Sequence, residues 1–192
     1  MKKAQFISVL FMVGIIVSSC GQKNPKTTSN TTNNETSTTN NNNVSNASTI
    51  GPANGTYNAS GTITFTAGGM NYSCSILKVI AASTSLTIQT STADVKTNGS
   101  IIVTCYTATS AITTGTYTAS STETISSVSF VDKNVTPFIA TSTTSGSSCT
   151  INITSLAPTS IKGTFTATVL KPLDNSILSI TNGVIDCTIT TK

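Results

Sequence analysis

The sequence predicts an all-β domain over residues 55–192, an antiparallel β-sandwich of about nine or ten strands, and three observations carry that expectation. Apolar residues alternate with Thr or Ser along most of the region, a period of two rather than 3.6. Turn residues recur roughly every ten positions: Gly68-Gly69, Asn98-Gly99, Gly115, Gly146, Pro158, Asp174-Asn175 and Asn182-Gly183. Thr, β-branched and able to turn a hydroxyl to water, suits a pleated surface with one buried face, and Thr and Ser together make 68 of the 192 residues.

The alternating segments follow in order. Ile63-Thr64-Phe65 runs into Ala67-Gly68-Gly69, and Tyr72-Ser73-Cys74-Ser75-Ile76 comes next. Leu86-Thr87-Ile88, then Ile101-Ile102-Val103-Thr104-Cys105-Tyr106, then Val128-Ser129-Phe130-Val131 continue the pattern. The last third reads as a three-stranded meander of residues 149–154, 160–170 and 177–189. Pro158 lies in its first connection, and Asp174-Asn175 forms the tip of its second hairpin.

Two segments precede this domain. Residues 1–19 open with Met1-Lys2-Lys3 and continue through the apolar stretch Ala4 to Val17, the form of a secretory signal and short for a retained transmembrane helix. The stretch ends in Val17-Ser18-Ser19-Cys20-Gly21: an aliphatic residue, two small residues and a cysteine, which resembles the lipobox of bacterial lipoproteins. The resemblance implies cleavage before Cys20, a thioether-linked diacylglycerol on its sulfur and acylation of the new amino group. Two or three acyl chains would hold the protein stably to a membrane. Residues 20–54 then read as a disordered tether. Of positions 22–54, 22 are Asn, Thr or Ser, including Asn40-Asn41-Asn42-Asn43, and too little is apolar to offset the entropy of ordering them.

Composition removes most catalytic chemistry. The chain has no His and no Arg; all ten of its basic residues are Lys. Imidazole-based nucleophilic catalysis, His-ligated zinc and bidentate Arg recognition of phosphate are therefore excluded. Loss of residues 1–19 would leave a chain close to neutral, so no nucleic-acid partner is expected. The domain's carboxylates are Asp94, Glu123, Asp132, Asp174 and Asp186, and no D-x-D-x-D run gathers them for calcium. Asp94, Asp132 and Asp174 fall at turns or strand ends, and Asp186 faces away from its neighbour Cys187 towards solvent. Lys78, Lys133 and Lys162 read as isolated strand-face charges. Ser75 and Lys78 have the S-x-x-K interval, but on an alternating strand rather than at a helix start. No cofactor or metal is expected, and no enzymatic activity.

Besides Cys20 the chain has Cys74, Cys105, Cys149 and Cys187, which implies two disulfides in an exported protein. Each shares the parity of neighbouring Ile or Val residues, so all four should point at the apolar face. Pairing of Cys74 with Cys105 and of Cys149 with Cys187 is the favoured connectivity of three. A Cys₄ zinc site competes less well, because the cysteines lack the close pairing such sites use. Among the aromatics, Phe65, Phe130 and Phe165 alternate with hydroxyl residues and read as core. Tyr57, ahead of the first strand, and Phe138, after Pro137, are the candidates for exposed binding contacts.

Ile161-Lys162-Gly163-Thr164-Phe165-Thr166-Ala167-Thr168, followed after about a dozen residues by Ile180-Thr181-Asn182-Gly183-Val184-Ile185-Asp186, is similar to a C-terminal pattern in small uncharacterised lipoproteins of the Bacteroidetes, the DUF6252-like group. The resemblance extends over residues 55–192 and implies a bacterial β-sandwich lipoprotein, with no activity attached. The expected location is the outer membrane. The periplasmic face is favoured because Gly21-Gln22-Lys23-Asn24-Pro25-Lys26 lacks the acidic residues that follow the lipidated cysteine in surface-exported members. The expected partners are the membrane itself, through the acyl chains, and a protein or glycan of the envelope. Binding or structural support of an assembly is the expected role; a small-ligand or glycan-binding part of an uptake system is the alternative.

Overall fold

The computed structural model describes residues 51–119 and 124–190. The signal-like segment, Cys20, residues 20–50 and Glu123 lie outside the described residues.

Ten strands and one short helix make up the fold: β1 (Gly55–Ala67), β2 (Met70–Ala82), β3 (Ser85–Thr90), α1 (Val95–Asn98), β4 (Ser100–Thr107), β5 (Gly115–Thr118), β6 (Thr124–Val131), β7 (Pro137–Ala140), β8 (Ser148–Ala157), β9 (Ser160–Leu170) and β10 (Ile177–Thr190). All pairings are antiparallel, and burial alternates residue by residue, as in β9, where Ile161, Gly163, Phe165, Ala167 and Val169 are buried and Lys162, Thr164 and Thr166 exposed. The chain is all-β, and the expected meander of β8, β9 and β10 is present.

The architecture is a closed barrel, not a sandwich. Eight strands run in the order β1-β2-β3-β4-β6-β7-β9-β10, and β10 pairs back onto β1 from Asn58↔Thr190 to Ala67↔Ile180. A single pairing, Ile139↔Leu170, joins β7 to β9. Along the rest of that edge of β9 lies β8, and β5 pairs in turn with β8, so these two strands form a flap beside the ring. Alternation puts one face of each strand inward in a sandwich and in a barrel alike. What separates the two folds is whether the first and last strands meet, and local pattern does not encode that.

Bends in the strands make closure possible. At Gly61 (φ 113°) β1 leaves register with β2 between Asn58 and Thr62 while keeping its ladder with β10. At Asn182-Gly183, expected as a turn, the chain instead makes a bulge within β10, with Asn182 in a left-handed conformation (φ 53°) and the pairing to β9 slipping between Ile180 and Gly183. A true two-residue turn occurs at Gly68-Gly69, both at positive φ, the conformation that a tight hairpin requires.

Side chains fill the barrel. Ile63, Ile88, Ile101, Val103, Val128, Ile161 and Ile185 are at most 2% exposed and converge from six strands. Five rings pack together within this core. Phe65 stacks on Tyr72 at 5.1 Å between centroids, and Phe130 meets both edge-on at 5.1 and 5.0 Å. Phe165 and Phe138 complete the group at 6.0 Å from Phe65 and 5.9 Å from Phe130.

Among the described residues, every buried side-chain nitrogen or oxygen has a hydrogen-bond partner. Where the β3–β4 ladder ends, the Thr90 hydroxyl takes over its next rung: Oγ1 accepts from the Ile101 N–H at 2.8 Å and donates to the Ile101 carbonyl at 3.0 Å. Thr90 is fully buried, so Thr90→Val would strand both backbone groups away from water. We expect a loss of about 1–3 kcal/mol in chemical denaturation, whereas Thr87→Val, on the outer wall, should change stability by well under about 1 kcal/mol.

Candidate functional site

Hydroxyls line much of the outer wall of the barrel. Thr62, Thr64 and Thr66 of β1 and Thr164, Thr166 and Thr168 of β9 project outward between their buried neighbours. Where β1 ends and β2 begins, this surface dips into an open depression of about 460 Å³. Thr64, Thr66, Asn71, Ser73, Asn98, Asn182 and Lys133 supply its polar lining, over a floor of Phe65 and Tyr72.

Each element places its residue for a local reason. Asn71 follows the Gly68-Gly69 turn, and its Oδ1 accepts from the Thr66 hydroxyl across the hairpin at 2.9 Å. Asn98 ends α1, and its carbonyl accepts from the Cys74 thiol at 3.0 Å. Lys133 lies in the β6–β7 connection, shaped by Asp132, whose Oδ1 accepts from the backbone N–H groups of Asn134 and Thr136 at 2.9 and 2.8 Å. The Lys133 ammonium sits 5.1 Å from the centre of the Tyr72 ring, a cation–π contact. Burial is the main reason that the Tyr72 phenol titrates above its ordinary value, and the charge of Asp132 adds to it. The site therefore offers amides, hydroxyls and one ammonium to a polar ligand. Its aromatic floor is closed: Tyr72 and Phe65 are each 3% exposed, so no ring face is free to stack on a sugar.

The candidates taken from the sequence do not converge on this site. Tyr57 and Phe138 are half-buried and packed against the core rather than standing out as exposed contacts. Tyr57 is drawn in because its hydroxyl donates to the Ala53 carbonyl at 2.7 Å, which ties the segment before β1 to the barrel. Phe138 is held by its stacking on Phe130. Phe65, Phe130 and Phe165 are core residues, as expected. The four described carboxylates are dispersed. Asp94 precedes α1 without a side-chain capping bond, Asp132 holds its turn, and Asp174 is held well below the usual carboxylate range by the Lys171 ammonium at 2.6 Å and by Ser176. Asp186 is exposed as expected, but Lys162 is not isolated, since its ammonium lies 3.5 Å from the Asp186 carboxylate. Ser75 and Lys78 both lie on β2, with Ser75 exposed. Among the described residues, no group of three or more Cys, Asp or Glu side chains gathers to hold a metal.

All four cysteines of the domain point inward as expected, each at most 3% exposed, but they are separate thiols in the structure. The favoured pairings fail on register. Cys105 stands opposite Leu86, which stands opposite Ala81, seven positions along β2 from Cys74. Cys149 stands opposite Ala167 of β9 and Cys187 opposite Ile161, six positions apart, or roughly 20 Å. Disulfide geometry needs Cα atoms within about 7 Å.

Burial raises the thiol pKa of Cys74 and Cys187 to about 11 and that of Cys105 to about 12. These acids sit above their unfolded value of 9.0, so their contribution to stability is complete below pH 9 and is lost as pH rises through 11 to 12. The reduced protein should therefore melt at progressively lower temperature above pH 9, and Cys105→Ala should flatten that decline relative to its own value at pH 7. An equal alkaline slope in both proteins would contradict it.

No family model matches the chain, and no curated protein and no solved structure matches it significantly. Lys133, Asn71 and the amide of Asn98 were not singled out as functional residues by the sequence. Asn98-Gly99 and Asn182-Gly183 were visible in it only as turn signals, and nothing local marks Lys133 as a neighbour of Tyr72, 61 positions earlier.

Proposed function

We propose that this chain is a lipid-anchored envelope protein whose barrel is a non-enzymatic binding or structural module, held to the outer membrane through acyl chains on Cys20 and the Asn/Thr/Ser-rich residues 20–54. The observation that carries the reading is the division of the barrel's chemistry. Most of its apolar and aromatic side chains fill the interior, and hydroxyls and amides predominate on its outer wall, interrupted by exposed apolar residues such as Leu77, Ile80 and Val184. Such a wall suits contact with a polar envelope partner, protein or glycan, over a broad face. Among the described carboxylates, Asp132 and Asp174 are bonded within their own turns and Asp186 faces Lys162, so these three are not gathered as a catalytic pair. The lipobox-like Val17-Ser18-Ser19-Cys20 supports the anchor, and the absence of acids among the residues after it favours the periplasmic face. The likeness of Ile161–Thr168 and Ile180–Asp186 to the Bacteroidetes lipoprotein pattern agrees with this reading.

Intact mass of the protein extracted from membranes tests it. A chain that lacks residues 1–19 and carries acyl chains, with Cys20→Ser found unacylated, is the expected result. An unmodified mass with Cys20 free overturns the anchor. Hydrolytic activity lost on Ser75→Ala or Lys78→Ala would overturn the non-enzymatic reading.

A further inference from the structure

We propose that Cys105 and Cys149 form a disulfide across the barrel interior, tying the β5–β8 flap to the closed ring, while Cys74 and Cys187 remain thiols. Ser126 brings the two together. It stands directly opposite Cys105 in the β4–β6 ladder, and both side chains point inward, so their Cβ atoms are about 5 Å apart. The Ser126 hydroxyl is 2.9 Å from the Cys149 sulfur and donates to the Cys149 carbonyl at 3.0 Å, which seats that residue of β8 against β6. Two thiols thus flank one small hydroxyl, and negative charge on Cys149 would act on Cys105.

The complementary pairing of Cys74 with Cys187 is closed by geometry. Cys187 stands opposite Gly61 on β1 and Cys74 opposite Ile63, so β1 with its buried Ile63 separates them, about 10 Å across two inter-strand spacings. Cys74 is further occupied by its bond to the Asn98 carbonyl.

Bridge formation needs an oxidant, and glutathione disulfide supplies it. One Cys thiolate attacks the external disulfide and expels a glutathione thiolate. The second Cys thiolate then attacks the mixed disulfide, forming the Cys105–Cys149 bond and expelling a second glutathione. Two electrons pass to the glutathione pair, and the two protons lost by the cysteines end on the two released thiols. Because burial suppresses both thiolates in the folded barrel, the exchange runs while the chain is refolding.

The full chain, refolded from denaturant in a reduced–oxidised glutathione buffer, alkylated and cut at lysine, provides the test. The lysines place Cys74, Cys105, Cys149 and Cys187 on separate peptides, 27–78, 97–133, 134–162 and 163–192 (Lys171 precedes Pro172 and resists cleavage). We expect 97–133 joined to 134–162, with 27–78 and 163–192 alkylated without reduction. The bridged protein should melt roughly 10 °C above the reduced one. That gain should survive in Cys74→Ser/Cys187→Ser and vanish in Cys105→Ser. Alkylation of all four peptides without reduction, or a link from either central peptide to 27–78 or 163–192, overturns the proposal. The assay does not depend on where the protein resides, so its outcome is independent of the lipid anchor.

Discussion

Phe130→Ala should cost about 3–5 kcal/mol, read as a fall in the urea midpoint with an unchanged slope. The ring is fully buried and is the hub of the aromatic group, touching Phe65 from β1, Tyr72 from β2 and Phe138 from β7. Removing it leaves a void that none of the three can fill, because Phe65 and Tyr72 are already stacked on each other and Phe138 reaches in from a four-residue strand. The depression above should deform as well, since Tyr72 would lose the edge-on neighbour that holds its ring under Lys133. Phe138→Ala, at a half-buried site, should cost clearly less than Phe130→Ala. Equal losses for the two variants would show that the group does not pack around Phe130.

A second substitution should be nearly as damaging although it adds a single methyl group. At Gly61 a Cβ would collide with the Asp186 carbonyl oxygen, on a backbone with φ 113° that L side chains rarely adopt. Both partners are main chain in the β1–β10 ladder, so relief requires opening the seam that closes the ring. We expect Gly61→Ala to cost about 3 kcal/mol or more. Gly69→Ala separates collision from backbone preference: Gly69 also has positive φ (78°), but nothing lies within 4 Å of its Cβ position. That variant should lose only about 1–2 kcal/mol, in the same thermal or chemical melt. A Gly61→Ala protein as stable as Gly69→Ala would mean that the seam yields easily.

What could be seen in the sequence divides along the reach of the interactions. The alternation of Ile161, Phe165 and Val169 with Lys162, Thr164 and Thr166 is a property of one strand, and it revealed which way each side chain, including all four cysteines, would point. The turns at Gly68-Gly69 and Asp174-Asn175 are equally local. Closure was not legible, because nothing near Asn58 announces that Thr190 will lie beside it. Register was hidden for the same reason. The bulge at Asn182-Gly183 carries the letters of a turn, and it is the pairing with β1 and β9, where Phe165 leaves no room for a Cβ at Gly183, that distinguishes it from one. The favoured cysteine pairs had the correct face but the wrong height along the wall. Of the polar depression only the turn residues showed, since Lys133 and Tyr72 meet through pairings far from either.

The seam between β1 and β10 also bears on time. Asn58 and Thr190, joined by a hydrogen bond from the Thr190 hydroxyl to the Asn58 carbonyl, are 132 positions apart. A ring closed by its earliest and latest strands has no finished half. Until β10 is delivered, β1 and β9 each lack a neighbour along one edge, and the slow, long-range pairing step waits for it. The ring therefore closes only after the last strand of the domain has been made.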